Sequence, residues 1–401
     1  MDPVIERITK LAKDGFFGGG DLKTVVLQSD DGKGSQFASK LFFLRVDLLQ
    51  DTGKVNEIPV VVKIKPESND WDGMFVVVQF ANEVAMYDKI MPKLGANELG
   101  IIPRMFYGLS THGEDPNEDI VIVEDMRSQG FKVSKDLFLD RNHLTLALRN
   151  LGKFHGLSYK IKKSSPETLS TLGKYLERKI YDDPDNVLEI CLKRGFKELL
   201  KNPAYSYLEN VFKKLTDPSL VDTKYNLEKS EEPFAAIIHG DFNNNNLLFA
   251  YESNKVSSVK FIDFGASFYS DPAVDISFFL YMNTSEEMRA AHWDDLLEEY
   301  WKGVTSIVED PGFSFEAFLK NFAKKAICGY FPCSFFLPMM LVPDETNFDF
   351  GKMTLEEKRE FADNFGGEKG TEATTSIVRH LSDKGYLEEF LLNFTNEPRS
   401  T

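Results

Sequence analysis

Residues 237–249 read Ile237-Ile238-His239-Gly240-Asp241-Phe242-Asn243-Asn244-Asn245-Asn246-Leu247-Leu248-Phe249, an apolar run, a polar tip carrying one carboxylate, and a second apolar run. Downstream, Val259-Lys260-Phe261-Ile262-Asp263-Phe264-Gly265 repeats the plan and ends its apolar run on Asp263. Short apolar runs bounded by turn residues read as strands. The polar stretch from Ala250 to Ser258 between them suits a hairpin connection. Asn and Asp also build ordinary turns, so either piece alone is equally well a hairpin tip. Turn chemistry does not account for the ordered pair, His-Gly-Asp-x-x-x-x-Asn followed by Ile-Asp-Phe-Gly.

Two strand-borne acids, the first followed five positions later by an Asn, are the residue types used in kinase-type phosphoryl transfer. Asp241 would accept the proton of an attacking hydroxyl. Asn246 and Asp263 offer the hard oxygen donors that Mg²⁺ takes.

With 401 residues, the chain is long enough for two domains or lobes, each with its own core. Hydrophobic residues make up 42% and charged residues 27%, a globular rather than a disordered balance. Lys plus Arg number 47 and Asp plus Glu 63, giving a net charge of −16. Such a surface disfavours nucleic acid and anionic membrane as partners and still allows a local basic pocket for nucleotide phosphates. Three cysteines without zinc spacing point to a reducing compartment and no disulfide framework. The start, Met1 to Arg7, lacks the apolar core of a signal peptide. Ala326 to Pro343 is uncharged but short for a membrane span and interrupted by Gly329, Pro332 and Pro338, so it reads as a buried segment. A cytoplasmic protein is expected.

Taken from its beginning, the chain opens on Asp2-Pro3 with Val4, Ile5, Ile8 and Leu11, a capped helix ending near Asp14-Gly15. A strand is expected over Thr24 to Gln28, then a turn over Asp30 to Ser35, then an apolar run from Phe37 to Leu49. Gly34 and Ser35 are candidate phosphate contacts, because backbone N–H groups of a tight turn can cradle phosphate. The segment is neither a Gly-x-Gly-x-x-Gly nor a Walker A, and an ordinary hairpin turn fits it as well.

Ile58 to Lys65 reads as a strand whose alternation puts Lys63 and Lys65 on one face, opposite Val62 and Ile64. Phe80 to Met91 reads as an amphipathic helix carrying Glu83 and ended by Pro92. A strand lysine followed by a helix glutamate matches the ion pair that positions ATP phosphates; a lysine on a solvated face is the ordinary alternative. Asp119 to Met126 is another strand, and a kinase-type chain would contact adenine through the backbone near Glu124 and Met126. A connector follows from Ser128 to Asp136, and Leu139 to Lys162 has helical spacing, with His155 as a packed or capping residue. Asp275 would cap a helix or brace the catalytic loop. Breaks fall at Asp183-Pro184, Pro203 and Pro218. Helices are expected over Ser285 to Val308, Phe315 to Gly329, Thr354 to Phe365 and Thr374 to Phe394.

In this order the pieces resemble the choline-kinase and aminoglycoside-phosphotransferase branch of the protein-kinase-like fold, and more narrowly the ecdysteroid kinase-like (CHK kinase-like) family. Lys33 to Ser39 with Arg45-Val46, Val61-Val62-Lys63, Phe80-x-x-Glu83-x-x-x-Tyr87, and the two carboxylate stretches carry the likeness. Leu151 to Gly156 and Asp271-Pro272-x-x-Asp275 add to it, and the whole covers about residues 20 to 300. The resemblance implies an α+β, two-lobed fold: an N-terminal lobe over 1–126, β-rich with one key helix, and a mainly helical C-terminal lobe over 127–401. It implies ATP and Mg²⁺ as cofactors, Asp241 as catalytic base, Asn246 and Asp263 as metal ligands, and Lys63 paired with Glu83 on the phosphates. The acceptor it implies is a small, apolar alcohol, an ecdysteroid or a dietary toxin.

Two positions depart from the family, Asn243 where Trp is common and Gly265 where Gln is common. A choline- or aminoglycoside-type phosphotransferase and a catalytically silent ligand-binding protein are the alternatives. A protein kinase is disfavoured, since the segment after Asp263 leaves no room for a long peptide-binding loop. Oligomeric state has no signature in the sequence.

Overall fold

The computed structural model describes residues 3–28, 35–36, 39–65, 73–178, 183, 185–342 and 352–395. The chain is α+β, with its sheet and its larger helical part segregated into two compact units. The first unit comprises Met1–Lys132, Tyr175–Glu177 and Leu248–Ala266; the second comprises Val133–Lys174, Arg178–Leu247 and Ser267–Thr401.

The first unit is built on an antiparallel sheet. Helix α1 (Pro3–Lys13) precedes β1 (Asp21–Leu27), the short β2 (Ser35–Gln36), β3 (Ser39–Leu49) and β4 (Val55–Ile64). Helix α2 (Gly73–Ala85), β5 (Met105–Leu109) and β6 (Ile120–Glu124) complete it, and the strand order is β1-β3-β4-β6-β5. Period-two alternation gives the sheet two different faces. Leu44, Val46, Leu48, Val60, Val62, Ile120 and Ile122 pack against Ile8 and Leu11 of α1. Val121 and Val123 point the other way, into a cluster with Val76, Phe80 and Val84 of α2. Lys63 pairs in register with Val121 and so shares the α2 face. It is 8% exposed, so the solvated-face reading does not hold.

Pro92 does not end the helix that carries Glu83. After Ala85 the helix widens into a π-turn over Met86–Ile90 and continues as Met91–Leu94, with Pro92 in the first turn of that last piece. In a regular α-helix a proline orphans the carbonyl four residues back and clashes with it. Here the N–H of Met91 bonds the carbonyl of Met86, five residues back, and the wider turn accommodates the ring. The expected hairpin connection from Ala250 to Ser258 is itself strand and turn. Leu247–Glu252 pairs with Lys255–Phe261 across Ser253 and Asn254, whose φ values are +49° and +64°, the signature of a two-residue primed turn. The strands leading to Asp241 and Asp263 therefore do not pair with each other; Ala236–Ile238 pairs with Phe268–Ser270 instead.

In the second unit the long helix Arg141–Ser164 lies against Glu286–Ile307 at glycine contacts. A Cβ on Gly152 would collide with the carbonyl oxygen of Tyr300, and one on Gly303 with that of Arg149. The helix Ala273–Asn283 is buried along its whole length. The apolar segment after Ala326 forms a short 3-10 turn and the largely buried helix Tyr330–Leu341. The expected helix from Thr374 to Phe394 is two, Gly367–Asp383 and Tyr386–Asn393, broken at Gly385, whose φ is +70°. Among the described residues, no helix is long and apolar enough to cross a membrane. Asp2, Pro184 and the turn from Asp30 to Gly34 lie outside the described residues.

Candidate active site

In the first unit the structure brings together Lys63, Glu83 and Asp263, residues separated in sequence by up to 200 positions. The Lys63 Nζ donates to Glu83 Oε2 at 2.8 Å and to Asp263 Oδ1 at 2.8 Å. Side-chain exposure is 10% for Lys63 and 5% for Glu83. Burial alone would lower the Lys63 pKa, but the charges of Asp263 and Glu83 outweigh it and raise it above the ordinary lysine value. The ammonium therefore stays charged. Burial pushes the Glu83 carboxyl up, the nearby Lys63 pulls it down, and the net shift is upward. Glu83 also accepts the backbone N–H of Phe264, so one carboxylate ties the strand lysine to the turn that follows Asp263.

Asp263 itself sits at φ +62°, in the left-handed region that a non-glycine residue occupies at some cost. That conformation turns the chain from the strand Lys255–Phe261 into the short helical turn Phe264–Ala266. Asn82 ties α2 both to this turn and to the backbone of Glu177. The Asn82 Nδ2 donates to the carbonyls of Gly265 at 3.1 Å and Glu177 at 2.9 Å, while its Oδ1 accepts the Glu177 N–H at 2.9 Å. Gly265 permits the approach: a Cβ there would stand 3.0 Å from both the Cβ and the carbonyl oxygen of Gln79. Tyr87, one turn beyond Glu83, meets Phe264 edge-to-face with centroids 5.8 Å apart.

Of the remaining nucleotide candidates, Glu124 closes β6, and its Oε1 accepts from Gln129 at 2.7 Å. Met126 is buried, and its carbonyl already accepts the N–H of Phe131 at 3.2 Å. Ser35 lies in β2, in register with Lys40. Gly34 lies outside the described residues.

In the second unit, Asp241 follows the buried strand Ala236–Ile238 through a left-handed Gly240 at φ +82°. Asp275 is the residue that holds this bend. Its Oδ1 accepts the Gly240 N–H at 2.8 Å, and its Oδ2 accepts the His239 N–H at 2.7 Å. His155 Nε2 also approaches that Oδ2 at 3.3 Å, and His155 Nδ1 meets the Tyr300 hydroxyl at 3.1 Å. Asp275 therefore braces the loop. At the start of the helix Ala273–Asn283 it is Asp271, through Oδ1, that accepts the Ala273 N–H at 2.9 Å.

The four asparagines have separate environments. Asn243 and Asn246 both donate to Asp241. Asn244 donates to the carbonyls of Ser134 and Asp136 and takes the Asn283 side chain on its N–H. Asn245 is exposed. Asn246 Nδ2 bonds Asp241 Oδ2 and the Asp241 carbonyl, both at 2.8 Å. With its nitrogen so engaged, the amide's other polar atom is a carbonyl-type oxygen, a donor that suits Mg²⁺, as does the Asp263 carboxylate. Among the described residues, no group of three or more His, Cys, Asp or Glu could hold a metal ion.

Sequence reasoning did not find Asn82 or Tyr300, and it left open how Asn243 is used. Nothing about an isolated Asn or Tyr in a helix marks such a role, because the partners lie 95 and 145 residues away.

Three solved structures illustrate what the chain is similar to. A variant of aminoglycoside 2'-phosphotransferase-IIIa in complex with GDP is 15% identical, with a TM-score of 0.40, covering 89% of this chain and 97% of that one. The GDP and kanamycin complex of APH(2")-IIia is 14% identical, with a TM-score of 0.39, covering 88% and 98%. The GDP complex of wild-type aminoglycoside 2'-phosphotransferase-IIIa is 17% identical, with a TM-score of 0.39, covering 89% and 98%. No curated protein matches the sequence. The model of the ecdysteroid kinase-like family matches residues 33–312, a span that takes in Lys63, Glu83, both carboxylate stretches and Asp275. The chain belongs to the ecdysteroid kinase-like family.

Proposed function

We propose that the protein is an ATP- and Mg²⁺-dependent kinase that transfers the γ-phosphoryl group to a hydroxyl of a small, apolar alcohol. The observation that carries this reading is the buried Lys63 ammonium between Glu83 and Asp263, at 2.8 Å from each. A charged lysine fixed at that depth is a preorganised cation for nucleotide phosphates, and the buried Glu83 with the half-buried Asp263 holds it where an exposed lysine would wander.

In the proposed reaction Asp241 orients the acceptor hydroxyl and takes its proton as the new O–P bond forms and the bond from the γ-phosphorus to ADP breaks. Asn246 and Asp263 would hold Mg²⁺, which when bound neutralises phosphate charge. Lys63 binds the phosphates, Glu83 keeps Lys63 in place, and the turn around Ser35 and the backbone near Glu124 and Met126 serve the rest of the nucleotide. The steroid-like or dietary alcohol as acceptor rests on family membership alone.

Two measurements test the reading. Millimolar Mg·ATP should raise the melting temperature of the protein, and a phosphate-transfer screen against steroid, choline-type and plant-derived alcohols should return an acceptor. Asp241→Asn should keep the thermal shift and lose orders of magnitude in turnover. Wild-type turnover in that variant would refute the assignment.

A further inference from the structure

We propose that Asn243 is a positioning residue that fixes the orientation of the Asp241 carboxylate; its consequence for turnover rests on the phosphotransferase reading above. The Asn243 Nδ2 donates to Asp241 Oδ1 at 2.9 Å and to the Asp241 carbonyl at 3.2 Å. Asn246 does the same from the other side, to Oδ2 and to that same carbonyl. The two oxygens of one carboxylate are thus held by two amides, one apiece. A carboxylate turns about a broad, weakly restrained torsion, and here donors on both oxygens restrain it.

Asn243 is itself held in place. Its Oδ1 accepts the Asn245 N–H at 3.0 Å, and the residue is 7% exposed. That oxygen contact is an ordinary cap on the turn Asn244–Asn246, and Ser or Asp would make it equally well. Capping does not account for the nitrogen's two bonds to Asp241. Only a short amide joins both tasks at this spacing. A Ser or Asp in its place would keep an acceptor for the Asn245 N–H and lose the amide N–H groups that reach Asp241. This chain therefore orients its base with an amide pair.

Asn243→Ser separates the two roles, since it keeps a cap acceptor and loses the amide donor. The assay is ATP hydrolysis with water as acceptor, with KM for ATP, a urea unfolding curve and a crystal structure of Asn243→Ser alongside. The expected result is a fall in kcat of about ten- to hundredfold, as for a small misplacement of a reacting group. KM for ATP stays at its wild-type value, and the urea curve shows the variant fully folded under the assay conditions. A wild-type kcat in Asn243→Ser overturns the proposal, as does a loss that merely follows stability. If the wild type neither hydrolyses ATP nor is stabilised by Mg·ATP, the phosphotransferase reading fails instead. The positioning claim is then decided by the crystal structure: an Asp241 carboxylate turned from its wild-type rotamer upholds it, and an unchanged rotamer overturns it.

Discussion

Replacing Asp275 should damage both the stability and the turnover of this protein. The carboxylate receives three donors, the backbone N–H groups of His239 and Gly240 and the ring of His155, and neither the Asp275 nor the His155 side chain is solvent-exposed. Each donor left unsatisfied in such a site costs about 1–3 kcal/mol. Allowing for relaxation and non-additivity, Asp275→Ala should lose about 3–6 kcal/mol, a large part of a typical total of roughly 5–15 kcal/mol. Asp275→Asn is the finer probe because it keeps the shape and one oxygen. With that oxygen on Gly240, its NH₂ faces the His239 N–H; His155 can shift its tautomer, but a backbone N–H cannot. The expected cost is about 2–3 kcal/mol. Urea unfolding followed by circular dichroism measures the stability, and ATP hydrolysis reports on the loop that carries Asp241. An Asp275→Asn variant within about 0.5 kcal/mol of wild type, the range of a neutral surface change, would refute the brace.

Three other perturbations have clear directions. Lys63→Met leaves the Glu83 carboxylate buried without its counter-charge; the unfolding free energy should drop by about 3–5 kcal/mol, and the Mg·ATP thermal shift should vanish. Gly265→Ala places a Cβ 3.0 Å from the backbone and side chain of Gln79, so the melting temperature should fall with a loss of about 1–3 kcal/mol, and ATP affinity should fall as α2 shifts. His380 has its pKa lowered to about 3 by burial, with Arg289 and Lys384 adding to the effect. The unfolded chain takes up a proton below about pH 6.5 that the folded chain refuses, so stability is lost as pH falls from there toward 3, by at most about 1.4 kcal/mol per pH unit. His380→Gln should flatten that part of the urea-midpoint profile, and an unchanged slope would place the titration elsewhere.

The features legible in the sequence are those carried by local order. Alternation places Lys63 on a definite face of its strand, and helical spacing puts Glu83 on the next helix; the structure joins them. The five-residue step from Asp241 singles out Asn246 among four identical side chains as a candidate metal ligand; that it also donates to Asp241 Oδ2, and that Asn243 donates to Oδ1, is visible only in the structure. Features that depend on distant convergence or on backbone register stay hidden. Asn82 looks like any polar residue of α2 until the Glu177 backbone, 95 residues on, closes against it. Pro92 obeys the usual rule for helix ends everywhere except after a π-turn, and no periodicity announces one. The connection between the two carboxylate stretches reads as loop because most of its polar residues alternate on half-exposed strands, leaving only Ser253 and Asn254 to the turn.

The π-turn at Met86–Ile90 also governs where this chain can gain or lose a residue. Such a turn is one residue inserted into an α-helix, and each α-helical residue advances the chain by about 100°. An insertion or deletion N-terminal to Glu83 within α2 would swing that carboxylate off Lys63. Deleting the exposed Lys89 would instead close the π-turn into α-helix, leaving α2 in register and turning only the residues beyond it. Single-residue length differences among family members in this helix should therefore gather between Met86 and Ile90, where the helix already carries its spare residue.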